Sequence, residues 1–216
     1  MRGDLCVKLI KLLFDGMLVS IELFVLTLIF ALPLGLIISL GRRSQNTLIR
    51  GITSIYISIM RGTPLMLQLV VVYFGPYYIF ERTFDRFSAA VIALVLNYAA
   101  YFAEIYRGGI DSIPKGQYEA GEVLGFTKTQ VFFKIVLPQV VKRILPAISN
   151  EVITLVKDTA LVMAIGIAEM FKAAQTEASR ILSVKPLFIA GAFYYVMNLI
   201  VAKLFGFAEK KLDYYK

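Results

Sequence analysis

The 216-residue sequence predicts an all-α membrane protein with about five transmembrane helices. Hydrophobic residues make up 58% of the chain and charged residues 18%, whereas a soluble domain is about half apolar and a quarter charged. Several uncharged apolar runs also approach the roughly 20 residues that a helix needs to cross a bilayer. Basic residues lie mostly between those runs, where positive charge fixes membrane orientation.

The first three predicted spans are clear apolar runs: Leu23–Leu40, Leu65–Phe80 and Phe87–Phe102. The first is followed by the basic pair Arg42-Arg43. The second begins earlier, near Thr53, so that Arg61 lies within or beside the membrane. A short net-neutral turn of residues 81–86 separates the second span from the third and suits a non-cytoplasmic connection.

The fourth predicted span is less regular than the others. It starts after Pro138 or Pro146 and contains Glu151, Lys157 and Asp158 before the apolar residues 160–168. The fifth span is Pro186–Phe207. An alternative with six spans would require the segment 144–168 to be divided into separate spans. With the N-terminus outside and the C-terminus inside, Lys and Arg are more numerous in the inside segments, which favours this orientation.

Composition excludes several kinds of chemistry. The chain has no histidine and one cysteine, so it lacks the residues for an internal disulfide, a Cys/His zinc site or histidine acid–base catalysis. A phosphate-binding loop requires a Gly-Lys pair, and no glycine in this sequence precedes a lysine. The sequence therefore predicts a protein that is not an enzyme and that holds no metal or nucleotide cofactor. The net charge of +8 is assigned to membrane orientation rather than to nucleic-acid binding.

A long polar loop joins the third and fourth spans, from Arg107 to about residue 137. It contains residues that are typical of the two ends of a helix, with Pro114 in a first turn and Gly125 at a C-terminal cap. Ala120 and Gly121 give the enclosed helix a small face, which would allow close approach to another protein. The alternative is an amphipathic helix on the lipid surface, but the segment has few large apolar residues to insert.

Several motifs carry a resemblance to a known family. Glu119-Ala120-Gly121, then Gly125 and then Ile135–Pro138 resemble the EAA loop of permease subunits of bacterial ATP-binding-cassette (ABC) importers. The segments RGTPL (61–65), AEIYRGGI (103–110), IPKGQ (113–117) and KDT (157–159) are similar to polar amino-acid permeases of the histidine/glutamine type. The resemblance covers residues 15–205, and Gly121 stands where the family pattern has alanine.

The resemblance implies one transmembrane permease domain, residues 1–216, with the MetI-like fold of type-I importers in the bacterial cytoplasmic membrane. It implies a translocation path for a polar, preferably basic, L-amino acid. The implied partners are an ABC ATPase in two copies that binds ATP and Mg²⁺, a second permease copy in preference to a sibling permease, and an extracytoplasmic amino-acid-binding protein. The residues implied in coupling to the ATPase are Pro114, Glu119, Ala120, Gly121, Gly125 and Pro138.

Polar residues within the spans are candidates for the substrate path, because charges in the bilayer normally face a partner or an aqueous route. These candidates are Arg61, Gln68, Asn97, Glu151, Thr154 and Asp158. Glu151, Thr154 and Asp158 share one helix face. The Glu151 carboxylate can accept hydrogen bonds from an ammonium or a guanidinium group. For Asn97 an inter-helix hydrogen bond is equally favoured, and Arg61 could instead extend to the membrane surface.

Two local features are predicted from spacing alone. Pro64 has no backbone N–H, so the helix around it should be kinked or opened. Glu104 and Arg107 are three residues apart near a helix end, which favours a salt bridge between them. Two other functions remain open from the residues, namely an ion-gradient-driven secondary carrier and a membrane scaffold or sensor that transports nothing.

Overall fold

The computed structural model describes the backbone of residues 2–212 and the side chains of residues 7–212. Within this part of the chain the secondary structure is entirely helical, as the sequence predicts. The elements are α1 (Arg2–Arg42), α2 (Thr47–Gly62), α3 (Leu65–Phe80), α4 (Arg86–Asp111), α5 (Lys115–Val123), α6 (Lys128–Val131), a π-helical turn (Phe132–Val136), α7 (Leu137–Asp158), a 3₁₀ helix (Thr159–Ile165), α8 (Met170–Arg180) and α9 (Lys185–Leu212).

Three of the described helices are long and apolar enough to cross a membrane, namely α1, α4 and α9. The consecutive helices α2 and α3 form a fourth candidate that is bent by 111° at its break. The 22-residue helix α7 is long enough to cross but carries charged residues. The helix count thus agrees roughly with prediction, although the predicted fourth span differs in detail, because α7 ends at Asp158 and residues 159–165 form the 3₁₀ helix.

The break between α2 and α3 lies at Thr63 and Pro64. Thr63 adopts an extended conformation with φ −120° and ψ 149°. A proline disfavours helical geometry in the residue before it and cannot donate a backbone hydrogen bond. The predicted opening of the helix at Pro64 is confirmed.

Helix α4 lies at the centre of the bundle and is buried along most of its length. It packs against α1, α2, α3 and α7. One face of α1 carries small residues at near-helical spacing: Gly16, Ser20, Thr27, Ala31, Gly35 and Ser39. Gly16 and Ser20 contact the start of α8, whereas Gly35 contacts α4. A Cβ on Gly35 would lie 2.8 Å from Phe102 Cβ and 3.0 Å from the Ala99 carbonyl oxygen. Small residues therefore allow the two helices to approach closely, as is typical of membrane helix pairs.

Contacts at the two ends of the bundle define its topology. At one end the Arg86 guanidinium donates to the Gly166 carbonyl oxygen at 3.4 Å. At the other end Arg43, which follows α1, forms an ion pair with Asp111 at the end of α4. The 81–86 turn and the loop that contains α5 consequently lie at opposite ends.

A buried carboxylate joins three elements at the end that contains the 81–86 turn. Glu169 caps α8 by accepting hydrogen bonds from the backbone N–H groups of Phe171 and Lys172, both at 2.7 Å. It also accepts hydrogen bonds from the hydroxyls of Ser20 on α1 at 3.4 Å and Tyr194 on α9 at 2.9 Å. Burial raises the pKa of the Glu169 carboxyl, and the hydrogen bonds to it act in the opposite direction.

Candidate functional site

The acidic face of α7 meets α4 in the middle of the bundle. The Tyr98 hydroxyl on α4 donates to Asp158 Oδ2 at 2.7 Å. Glu151 lies on the same side of α7, is half-buried and interacts electrostatically with Asp158. Thr154 lies between these two in sequence, but its hydroxyl donates to the Asn150 carbonyl oxygen of its own helix at 2.9 Å. In general, a nearby like charge disfavours the ionised form of a carboxyl group and a nearby cation favours it.

Gln68 and Asn97, two predicted path residues, meet at the break between α2 and α3. The Asn97 side-chain amide donates to the Met60 carbonyl oxygen at 3.1 Å and to Gln68 Oε1 at 2.9 Å. Gln68 Nε2 donates to the Met60 carbonyl oxygen at 2.9 Å and to the Thr63 hydroxyl at 2.8 Å. Both amides are buried and satisfy carbonyl groups that the break leaves without helical donors. A direct contact of either residue with substrate stays a prediction.

Arg61 lies in the last turn of α2 and extends toward α4. Its Nη1 atom is 4.0 Å from Glu104 Oε2, and its guanidinium carbon lies 5.2 Å from the centre of the Tyr101 ring. It also interacts electrostatically with Glu151 on α7. The Arg61 side chain is 44% exposed. The partly exposed Arg61 guanidinium therefore lies against α4, beside Glu104 and Tyr101.

A chain of ion pairs continues from Glu104 to the end of α4. Arg107 Nη2 lies 2.7 Å from Glu104 Oε2, and Arg107 Nε donates to Oε1 of the same carboxylate at 3.1 Å. Arg107 Nη1 is 3.0 Å from Asp111 Oδ2, and Asp111 pairs with Arg43. The predicted Glu104–Arg107 salt bridge is confirmed. It is bidentate, the geometry that best fixes a guanidinium against a carboxylate.

The predicted helix in the long loop is α5, which begins after Pro114. Gly125 follows its C-cap with φ +78°, a conformation that glycine adopts at little cost. Glu119 and Ala120 are exposed, and Val123 and Leu124 are 88% and 70% exposed. These residues present a mixed acidic and apolar outer face.

Gly121 lies on the opposite face of α5 and is buried within the chain itself. A Cβ at this position would lie 2.6 Å from Val131 Cγ2 and 3.1 Å from Ile135 Cδ1. The expectation that Ala120 and Gly121 share a small face toward another protein is therefore corrected. Only Ala120 points outward, and the close approach at Gly121 is made to the following helical segment.

An uninterrupted helical run, Lys128–Asp158, connects the loop to the acidic face. It consists of α6, the π-helical turn and α7. Thr127 and Gln130 form a reciprocal capping box at its start. Pro138 lies in the first turn of α7, where it cannot donate to the Lys134 carbonyl oxygen. The widened π-helical turn directly precedes this proline, and such turns occur frequently at functional sites.

Sequence reasoning missed Tyr98 and Tyr101 as members of this site. Tyr98 directly follows Asn97, and Tyr101 is three residues further along the same helix. Their partners Asp158 and Arg61 lie 60 and 40 residues away in sequence. Local spacing carries no signal for such pairings.

Comparison with known proteins gives a family match. The model described as "Binding-protein-dependent transport system inner membrane component" matches residues 31–214. The arginine transport system permease protein ArtQ of Bacillus subtilis (strain 168) is 41% identical over 204 residues, covering 94% of this chain and 93% of that protein. The L-cystine transport system permease protein TcyB of the same organism is 38% identical, covering 94% and 88% of the two chains.

Three further similarities concern one relative and two solved structures. A putative glutamine transport system permease protein, GlnP of Rickettsia bellii (strain RML369-C), is 35% identical, covering 94% of each chain. A chain of an amino acid ABC transporter crystallised with histidines superimposes with a TM-score of 0.88 at 36% identity, covering 95% and 96% of the two chains. A chain of the MetNI methionine ABC transporter has a TM-score of 0.66 at 22% identity, covering 98% and 97%, which shows a shared fold.

Proposed function

Because the chain belongs to the family of binding-protein-dependent transport system inner membrane components, we propose that it forms the translocation path of an ABC importer for a polar L-amino acid. Its fold is the MetI-like fold of type-I importers. The membrane is the bacterial cytoplasmic membrane, which the chain crosses several times. Energy comes from ATP hydrolysis in a separate ATPase subunit.

One observation carries the proposal, namely the helical run Lys128–Asp158 that joins the loop to the acidic face. The buried face of α5 packs through Gly121 onto the start of this run, and the opposite face of α5 is exposed. The same run presents Glu151 and Asp158 toward α4 more than three helical turns further along. A force applied to α5 therefore has a continuous mechanical route to the polar residues inside the bundle.

The mechanism follows from this route. An ATPase that closes on nucleotide displaces α5, and α6 and α7 move with it. Because α7 carries Glu151 and Asp158, its movement against α4 changes access to them from one side of the membrane to the other. Nucleotide drives this change only if it binds the two states of the transporter with different affinity. Glu119, exposed on α5, is the acidic contact proposed for a basic ATPase side chain.

The substrate class is proposed from charge. Glu151 and Asp158 provide two carboxylates that attract an ammonium or guanidinium group. A basic amino acid offers two such groups and a neutral one offers only the α-ammonium. The relative named for arginine transport is consistent with a basic substrate, whereas the relatives named for glutamine and cystine leave a neutral one as the second candidate.

The proposed assembly has two ATPase copies, a second copy of this chain and an extracytoplasmic binding protein. In the orientation that the distribution of Lys and Arg favours, the N-terminus is outside, so the 81–86 turn and α8 face the binding protein. The loop that contains α5 faces the cytoplasm and the ATPase.

The experiment that tests this function is uptake into liposomes that contain this chain with its ATPase, in the presence of the binding protein. We expect uptake of radiolabelled arginine that requires ATP and that survives collapse of the ion gradients. Uptake that survives ATPase removal and stops with the ion gradient would instead establish a secondary carrier.

A matched pair of substitutions separates transport from a scaffold role. Glu151→Gln should reduce ATP-driven arginine uptake at least tenfold, because it removes a charge from the proposed path. Glu22→Gln makes the same change on the exposed face of α1 and should leave uptake unchanged. Equal uptake by both variants would contradict the assignment of Glu151 to the path.

A further inference from the structure

The end of α4 and the start of α7 are in close contact at Gly109. A Cβ on Gly109 would overlap Ile144 Cγ2 and lie 3.3 Å from Val140 Cγ1. Both of these α7 side chains are buried, so neither lies at an open surface into which it could move. The two helices therefore approach each other here as closely as a glycine allows.

A polar contact reinforces this approach. Arg143 Nη1 on α7 donates to the carbonyl oxygen of Ser112, the residue that caps α4, and to the Ser112 hydroxyl at 3.1 Å. The Ser112 hydroxyl donates in turn to the Gly109 carbonyl oxygen at 2.7 Å. A cation at this position also complements the partial negative charge at the C-terminal end of a helix. We call Gly109, Ser112, Arg143 and Ile144 the α4–α7 clamp.

The apolar residues around the clamp form a buried cluster of their own. Its members come from the end of α4, the loop and the start of α7: Ile110, Ile113, Val131, Val136, Val140 and Ile144. Helix α5 packs onto the same cluster, because an added Cβ on Gly121 would meet Val131. The end of α4, the loop and the start of α7 thus share one core.

Helix α7 leaves this shared core at Pro146. This proline lies inside the helix and has no backbone N–H to complete the helical hydrogen bond four residues back. Beyond it, Val152 and Leu155 belong to the main core of the bundle, together with Tyr98 of α4. A cleft of about 360 Å³ adjoins the clamp and extends to Ala147, directly after the proline. At this point α7 has both a weakened hydrogen-bond ladder and adjoining space.

Given the proposed importer function, on which this inference depends, we propose that Arg143 is a positioning residue for coupling. Through the clamp it makes the end of α4 move together with the start of α7 when the ATPase displaces α5. Movement of α7 against α4 is then confined to the part beyond Pro146. If the stroke travelled through α7 alone, the clamp would be a passive contact. The two routes predict different effects when the clamp is loosened.

The test is the amount of radiolabelled arginine taken up per ATP hydrolysed, in liposomes that contain the chain with its ATPase and the binding protein. Arg143→Gln removes the charge and shortens the side chain, so that the ATPase can close without carrying α4 along. We expect uptake per ATP to fall at least fivefold, while the affinity for the ATPase stays within twofold. Arg143→Lys keeps a cation that can donate to the Ser112 carbonyl oxygen and should restore most of the ratio.

Two adjacent glycines of α4 provide a matched pair of variants. Gly109→Ala places a methyl group against Ile144, so it should push α7 away and lower uptake per ATP as Arg143→Gln does. An added Cβ on Gly108 would meet nothing within 4 Å, so Gly108→Ala should leave the ratio unchanged. Both changes alter helix propensity equally, and their difference therefore reports packing. This pair also serves if Arg143→Gln does not assemble.

The outcomes separate the inference from the proposed function. A lower thermal unfolding midpoint for Arg143→Gln with unchanged uptake per ATP would overturn the inference, because the clamp would then only stabilise the fold. Equal ratios for Gly108→Ala and Gly109→Ala would also overturn it and favour a route through α7 alone. In both cases the importer function would stand. If the unsubstituted complex showed no ATP-driven uptake of arginine or glutamine, the proposed function itself would be contradicted.

Discussion

Gly121 offers a sharp test of how the loop is built, because the structure leaves no room for even one methyl group there. Its added Cβ would lie 2.6 Å and 3.2 Å from the two methyl carbons of Val131 and 3.1 Å from Ile135 Cδ1. Val131 is only 2% exposed, so its side chain has little space to move away. Alanine gains about 1 kcal/mol of helix propensity over glycine, while overpacking typically costs about 1–3 kcal/mol. Gly121→Ala should therefore destabilise the loop by up to about 2 kcal/mol.

Gly116→Ala is the matched control, because Gly116 is on the same helix and a Cβ there would meet nothing within 4 Å. The assay is the thermal unfolding midpoint of the purified permease–ATPase complex. In a domain of the size of this chain, a change of 1 kcal/mol in the free energy of unfolding shifts the midpoint by about 2–4 °C. We expect a lower midpoint for Gly121→Ala and an equal or higher one for Gly116→Ala. In a double-mutant cycle, Val131→Ala should remove most of the effect of Gly121→Ala, since the two sites share one contact.

A Gly121→Ala midpoint that rises as much as that of Gly116→Ala would refute this reasoning. It would mean that Val131 adjusts without cost and that glycine is not required by packing. The larger change Gly121→Tyr should displace α5 from Val131 altogether. We expect that variant to insert into membranes but to lose ATP-driven uptake.

Three further substitutions test other parts of the structure. Glu119→Lys reverses an exposed charge on α5 and should lower the affinity of the chain for its ATPase at least tenfold, with no change in the thermal unfolding midpoint of the permease. If pull-down titrations showed an unchanged affinity, Glu119 would not belong to the interface. Glu169→Gln places an amide N–H₂ among N–H and O–H donors and should lower the free energy of unfolding by about 1–3 kcal/mol, which would be measured as a lower thermal unfolding midpoint. An unchanged midpoint would show that the hydrogen bonds to Glu169 do not stabilise the fold. Tyr98→Phe deletes the donor to Asp158 and should alter the maximal rate or KM of arginine uptake more than the midpoint, and a change confined to the midpoint would make the Tyr98–Asp158 bond purely structural.

Some features follow from local sequence rules and were correctly predicted. The opening at Pro64 requires only that proline lacks an N–H. The Glu104–Arg107 salt bridge requires only that residues three apart lie on one helix face. The helix between Pro114 and Gly125 depends on the residues at its two ends. Gly125 has the expected left-handed conformation, whereas Pro114 is the N-cap, directly before the first turn in which it was expected. Each rule involves residues within about one or two helical turns.

Other features depend on segments that are far apart in the chain and could not be predicted. The Asp158 partner Tyr98 is 60 residues away, and the Arg61 partner Tyr101 is 40 residues away. Gly121 looks like an outward-facing small residue from sequence alone, because helix periodicity does not say which face the following helix will cover. The packing of α5 on Val131 decides that question.

Composition and periodicity by themselves determined that this chain is an apolar helical membrane protein, and spaced motifs indicated its family. Both depend on local properties, since hydropathy and short motifs are read within a single segment. Only the tertiary structure decided which polar groups of distant segments meet. It brings Arg61 beside Tyr101 and Glu104, supports the broken helix with Gln68 and Asn97, and turns Gly121 inward, because side chains from distant segments meet only after the helices have packed.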